Sequence, residues 1–340
     1  MSAVEQPAVT PARIMQFAFG YAAPLIMEAA IAHGYFDALD RKPLTAEEVA
    51  AETHTSVRGA RAILNALGGL ELLVKHTDGR FTLGADAAAF LVTGKPGYFG
   101  GMIKHTSKQL IPRWLHLSET VKAGTLESGV NQETEGTEFF HQFVEDIFPM
   151  SYPAARNLSD ALGVASASST VKVLDLAAGS GVWGIALAER SAHVHVTAVD
   201  WPGMLDITQK VAARFGVAER FTFSPGDLTN ADFGTGHNIA TLGHILHSEG
   251  ETRSRALLHK TIHALAPGGT IAIAEFLVNE DRSGPPMGLI FGVNMLAATQ
   301  EGNTYSFGEI SGWLKEAGFE NARTLESPGP SPLILANRPA

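Results

Sequence analysis

A short apolar run closes on a glycine-rich loop over residues 171–184, reading Val-Lys-Val-Leu-Asp-Leu-Ala-Ala-Gly-Ser-Gly-Val-Trp-Gly. A buried strand followed by G-x-G-x-x-G and an apolar helix is the opening unit of an alternating α/β domain. The residues downstream keep that alternation. Strands are expected at 195–200, 221–223, 238–246 and 270–277, with a helix at 251–264 and the turn Ala266-Pro267-Gly268-Gly269 before the fifth strand. A helix at 306–317 precedes two further strands, at 322–327 and 332–338. This pattern specifies a parallel, doubly wound sheet that binds ligands at the carboxyl ends of its strands.

The first 165 residues lack this alternation. Residues 10–40 read as one largely apolar helix, kinked at Pro24. The apolar run Met15 to Met27 follows Arg13 as a secretory leader would, but it sits behind Glu5 and runs into Glu28. An uncleaved, buried helix is therefore expected, too short to cross a bilayer. Thr45-x-x-Glu48 is a capping box that opens a short helix, and Ser56 caps a second at 56–68. Residues 72–83 form a hairpin about Thr77-Asp78-Gly79.

Helix, helix, hairpin is a winged-helix order, which raises DNA binding. Phosphate neutralisation needs surplus cations. Residues 44–93 offer Arg58, Arg61, Lys75 and Arg80 against six acidic groups, so an interaction module is expected instead. Beyond it, 124–136 is polar and turn-rich, and Phe139 to Phe148 carries apolar residues at helical spacing.

Composition narrows the function classes. The net charge of −10 disfavours broad attraction to nucleic acid or anionic membrane. With no cysteine, disulfide scaffolds, thiolate zinc and thiol chemistry are excluded. The 340 residues, 45% hydrophobic, suffice for two cored domains.

Asp200 ends the second strand 19 residues after Gly181, where an acid can hold ribose hydroxyls. Asp175 ends the first strand, and Asp227 follows the third in Ser224-Pro225-Gly226-Asp227-Leu228. A diphosphate prefers a helix N-terminus free of negative charge. Three carboxylates at neighbouring strand ends instead suit a sulfonium, an ammonium and an adenine amino group. The residues thus favour S-adenosyl-L-methionine over NAD.

With these motifs in order, the chain resembles the two-domain S-adenosylmethionine-dependent O-methyltransferases of small molecules. The resemblance rests on residues 175–181, Asp200-Trp201-Pro202, Gly226-Asp227-Leu228, Leu246-His247 and Pro267-Gly268-Gly269, and it spans nearly the whole chain. It implies an α/β fold: a Rossmann-like methyltransferase domain at 166–340, an N-terminal winged-helix dimerisation domain at 1–100, and between them a helical connector at 101–165 lining the acceptor pocket. It implies that Gly179 and Gly181 contact the methionine part of the cofactor, Asp200 the ribose and Asp227 the adenine amino group, with Trp201 and Leu228 beside them. His247 would be the general base and Glu275 its partner, with Met295 and Thr299 touching the acceptor between the two domains. No metal is implied. Four positions depart from the family: Ser248-Glu249 follows the histidine where Asp-Trp is usual, Thr304 replaces a glutamate, and Gly243 replaces a lysine.

His259 and His263 stand one helical turn apart and read as a solvated face rather than a metal pair. His244 and His247, three apart near a strand end, are expected to point differently. The implied enzyme is a cytoplasmic homodimer acting on an aromatic or polyketide-like hydroxyl, with no membrane or nucleic-acid partner. N-, C- or S-methylation, or another reaction with the same cofactor, is the alternative. A winged-helix regulator and an NAD oxidoreductase are the more distant ones.

Overall fold

The structure, a computed structural model, describes residues 9–126, 129–141 and 143–340. Glu5, positions 127 and 128 of the turn-rich stretch, and position 142 lie outside the described residues. The chain divides into two compact units, one ending at Lys108 and the other beginning at Gln109.

The first unit holds α1 (Ala12–Ala18), α2 (Ala22–Ala32), α3 (Tyr35–Arg41), α4 (Ala46–Glu52), α5 (Val57–Gly69), β1 (Leu73–Lys75), β2 (Phe81–Leu83), α6 (Ala85–Phe90) and α7 (Gly100–His105). The single helix expected over 10–40 is three. The breaks fall at 19–21 and at Gly34, whose φ is +70°. Pro24 causes neither, because in the first turn of α2 its missing N–H has no partner to lose. Nor are its first two helices buried: α1 has no buried residue and α2 only Ala30, whereas α3 buries Tyr35, Phe36, Ala38 and Leu39. Ala12–Ala32 has the length and hydropathy of a membrane-crossing stretch. As folded, however, it is helices of 7 and 11 residues, against roughly 20 for a span.

The expected caps of this unit are present. Thr45 Oγ1 accepts from Glu48 N and Glu48 Oε2 from Thr45 N, while Ser56 Oγ accepts from Gly59 N. α4, α5 and the β1–β2 hairpin close on a core that includes Phe36, Leu44, Leu64, Leu67 and Phe81.

The second unit begins with α8 (Ile111–Trp114), α9 (Leu117–Ala123), α10 (Glu133–His141) and α11 (Phe148–Ala161). Phe139 to Phe148 is thus not one helix but the end of α10, a turn and the start of α11. There follow β3 (Val171–Leu176), α12 (Val182–Arg190), β4 (Val194–Asp200), α13 (Pro202–Arg214), β5 (Phe221–Pro225), β6 (His237–Gly243), α14 (Leu246–Ala264), β7 (Leu265–Ala274), α15 (Pro286–Ala298), α16 (Phe307–Glu316), β8 (Glu320–Leu325) and β9 (Leu333–Asn337).

The sheet runs β5-β4-β3-β6-β7-β9-β8, parallel except where β9 pairs antiparallel with β7 and β8. Alternate residues serve opposite faces. Leu174 and Leu176 join one core with Leu242, Leu258, Ile271 and Trp313. Val173 joins another with Ile185, Val196 and Val211. β6 ends three residues earlier than expected and β7 at Ala274. Both strands therefore deliver loops to the carboxyl edge.

Candidate active site

The loop after β3 is shaped by its glycines. Gly181 has φ +75°, and a Cβ there would stand 2.8 Å from Thr208 Cγ2 of α13. Thr208 Oγ1 donates to Gly179 O at 2.7 Å and so ties the loop to α13. Leu176 pairs with Val199 across the sheet, which brings the loop beside the end of β4. There Asp200 Oδ2 accepts from Gly179 N at 2.8 Å and Oδ1 from Trp201 N at 2.7 Å. Each oxygen retains a lone pair for a further donor. Asp200 keeps part of its surface open, yet its dense surroundings push its carboxyl up to about 6.

Asp200 pairs with Pro225, and Gly226 N donates to Asp200 O at 3.0 Å. Asp227 therefore stands at the neighbouring strand end. Its Oδ1 accepts from Thr229 N (2.9 Å), Thr229 Oγ1 (2.6 Å) and Arg253 Nη2 (3.5 Å), and its Oδ2 from Trp201 Nε1 at 3.4 Å. Burial would raise this carboxyl, but Thr229 and Arg253 hold it below the usual carboxylate range. Leu228 turns into the core beside Ala231 and Phe233.

The third acid is a correction. Asp175 is fully buried on the face of β3 that carries Val173, not turned to a ligand. It accepts from Gly184 N at 3.0 Å and from Thr241 Oγ1 at 2.7 Å. Burial pushes its carboxyl up to about 7. Asp175 is a strut beneath α12.

His247 is likewise not at a strand end. The chain leaves β6 at Gly243, turns through His244 with φ +61°, and enters α14, where His247 is the second residue. Glu275, the first residue after β7, faces it. His247 Nδ1 lies 2.6 Å from Glu275 Oε2, and His247 N donates to Oε1 at 3.2 Å. Burial would raise Glu275, but the neighbouring imidazoles and both His247 N–H groups hold it below the usual range. An ionised carboxylate can only accept, so Nδ1 carries the proton and Nε2 is the basic nitrogen.

The left-handed turn also brings His244 inward, contrary to expectation. One nitrogen of each histidine and a Glu275 oxygen lie within 4.8 Å of one another. Burial pushes His244 down to about 4, so its ring is neutral near pH 7.

Aromatic rings surround the pair. Phe291 of α15 meets the His247 ring edge-on at 4.9 Å, and Phe276 lies 4.1 Å from Phe291. Met295, one turn beyond Phe291, is buried. Thr299 is also buried; its hydroxyl donates to Met295 O at 2.7 Å and accepts from Gly302 N at 2.9 Å. His259 and His263 are exposed on α14. At Gly243, where the resemblance leads one to expect lysine, the Trp183 indole fills the space: Nε1 would be 1.9 Å from a Cβ.

Phe276, Phe291 and Arg253 were not singled out from sequence. Phe276 adjoins Glu275, and Phe291 lies one turn before Met295. Glu249 and Arg253 form an i, i+4 charge pair visible in the sequence.

Comparison with known proteins gives this geometry its context. Residues 120–320 match the O-methyltransferase domain, and residues 15–93 match the O-methyltransferase dimerisation domain. The chain belongs to this O-methyltransferase family. It is 31% identical over 331 residues to a 3-hydroxy-5-methyl-1-naphthoate 3-O-methyltransferase of Streptomyces sahachiroi, covering 95% of this chain and 94% of the relative. It is 28% identical to the tetracenomycin polyketide synthesis 8-O-methyl transferase of Streptomyces glaucescens, covering 97% of each. The structure of human N-acetylserotonin methyltransferase in complex with S-adenosylmethionine shares the fold, with a TM-score of 0.84 over the full length of both chains and 23% identity.

As a member of the O-methyltransferase family, the protein is an S-adenosylmethionine-dependent enzyme. Its residues fit that cofactor. The loop is compact at Gly179 and Gly181, and two acids with free lone pairs stand at adjacent strand ends.

Proposed function

We propose that the enzyme methylates a phenolic hydroxyl of a small aromatic or polyketide-like acceptor, with His247 as general base and Glu275 orienting it. The observation that carries this reading is the 2.6 Å contact between His247 Nδ1 and Glu275 Oε2, which leaves Nε2 basic. Phe276 and Phe291 beside His247 suit a flat aromatic ring. The two bacterial relatives, named for a hydroxynaphthoate and a polyketide, support the same acceptor class.

Asp200 would hold the ribose, Asp227 the adenine amino group, and Gly179 and Gly181 the methionine part, with Trp201 and Leu228 alongside. Met295 and Thr299 would contact the acceptor. Thr299 would do so through its methyl group, since its hydroxyl is engaged. S-adenosylmethionine, when bound, supplies an electrophilic methyl group. His247 Nε2 takes the acceptor's hydroxyl proton, and Glu275 fixes the ring and stabilises the imidazolium. The buried, aromatic surroundings exclude water.

The N-terminal unit would pair two copies into a homodimer through α1 and the turn after it, where Ile14, Phe17 and Phe19 are 60–68% exposed. We place the enzyme in the cytoplasm, beside its diffusible cofactor.

The test is His247→Ala. Turnover should fall by about 10²–10⁴-fold, with S-adenosylhomocysteine affinity within a few-fold of wild type. Unchanged turnover on the true acceptor would remove His247 as base. It would favour an acceptor that needs no deprotonation, at N, C or S.

A further inference from the structure

A buried charge needs a partner. Glu249 stands two residues after His247 with 6% of its side chain exposed. Its Oε2 accepts from Arg253 Nε at 2.5 Å, one turn further along α14. Between them Gly250 leaves helical geometry, with φ 75° and ψ 169°. The ion pair therefore bridges a break and ties the short turn 246–249 to the helix beyond.

The same guanidinium reaches a second carboxylate. Arg253 Nη2 lies 3.5 Å from Asp227 Oδ1. A guanidinium is planar, so holding Nε fixes where Nη2 points. Asp227 Oδ1 then gathers three donors, two from Thr229 and one from Arg253. Among the described residues, Oδ2 has only the 3.4 Å contact from Trp201 Nε1. Crowding one oxygen sets the rotation of the carboxylate and leaves the other for an incoming N–H group. The other charged side chain close by, Lys260, donates to Leu228 O and Ala231 O at 2.9 and 2.6 Å. Arg253 is thus the cation that joins Asp227 to the segment carrying the histidine.

We propose that Arg253 is a positioning residue that locks the cofactor acid Asp227 and the turn bearing His247 to each other. It rests on the roles given above to Asp227 and His247. Neither motif contains it, and its partner Glu249 occupies one of the two positions where the chain departs from the usual Asp-Trp.

A double-mutant cycle measured by calorimetry with S-adenosylhomocysteine tests it. Arg253→Met should weaken binding about 10-fold in the wild-type background and less than about two-fold in Asp227→Asn, since coupled residues do not add. The single-turnover rate of Arg253→Met at saturating S-adenosylmethionine should also fall, by about five-fold or more. If the single variant does not fold, Glu249→Gln combined with Arg253→Met leaves no buried charge unpartnered and serves in its place. Multiplicative losses across the cycle, unchanged affinity or an unchanged rate in the Arg253 variant would each overturn the proposal. Should Asp227→Asn itself bind as wild type, the cofactor role of Asp227 falls and the proposal with it. Should Asp227→Asn weaken binding while Arg253→Met does not, only the proposal falls.

Discussion

Asp175 and Asp200 each sit near the end of a strand next to the glycine loop, and the fold uses them in opposite ways. Alternation along β3 turns Asp175 beneath α12, where Gly184 N and Thr241 satisfy it. Asp200 keeps an open edge. Because its carboxyl stands at about 6 in the free protein, above the ordinary value, it is partly protonated in mild acid. The ionised form accepts ribose hydroxyls better. S-adenosylhomocysteine affinity should therefore rise with pH through about 6 and level off above it. Asp200→Ala should flatten that profile and weaken binding by roughly 1.5–3 kcal/mol, the scale of hydrogen bonds to a charged group. Calorimetry from pH 5 to 8 checks both. Motif order made Asp200, Asp227, His247 and Glu275 legible in the sequence. Motif order could not say that Asp175 faces inward, because the side of a strand on which a residue lies depends on where the strand begins. Arg253 was only half legible: its i, i+4 pairing with Glu249 reads from the sequence, but its contact with Asp227, 26 residues away, depends on the fold.

Among the elements, the expectations that held were those set by local chemistry. Thr45 and Glu48 cap α4 reciprocally, and Ser56 caps α5. The errors came where backbone geometry outweighed composition. Residues 10–40 are apolar enough to read as one helix, but Gly34 and the turn at 19–21 divide them. The strand expected to run to Leu246 stops at Gly243, because a left-handed His244 starts a turn that no hydrophobic pattern reveals. At Gly250 the dihedrals fall in a region open almost only to glycine, and a Cβ would approach Glu301 Cβ to 2.8 Å. Gly250→Ala should cost about 1–3 kcal/mol of stability by denaturant titration. It should lower turnover more than cofactor affinity, because the turn it disturbs carries His247. A variant as stable and active as wild type would show that the break is incidental.

At the scale of the whole molecule, the two units have separate cores and different surfaces. The α/β unit buries its apolar residues on both sides of one sheet, while the N-terminal unit leaves Ile14, Met15, Phe17, Phe19 and Tyr21 more than half exposed. Scattered exposed apolar residues are ordinary, but a contiguous set on one short helix and the turn after it suits an interface. Light scattering should give twice the chain mass for the wild type. Phe17→Glu combined with Phe19→Glu should shift it toward the monomer. A wild-type monomer would end the dimer reading. The placement of this surface also has a consequence in time. Helices α1 and α2 are made before the catalytic unit, and residues 33–340, roughly 300 of them, are added after them. At ~5–20 residues per second they wait about 15–60 s on the ribosome. If the homodimer pairs through this surface as proposed, a neighbouring nascent chain on the same message could meet it over that interval, before the catalytic unit has been synthesised.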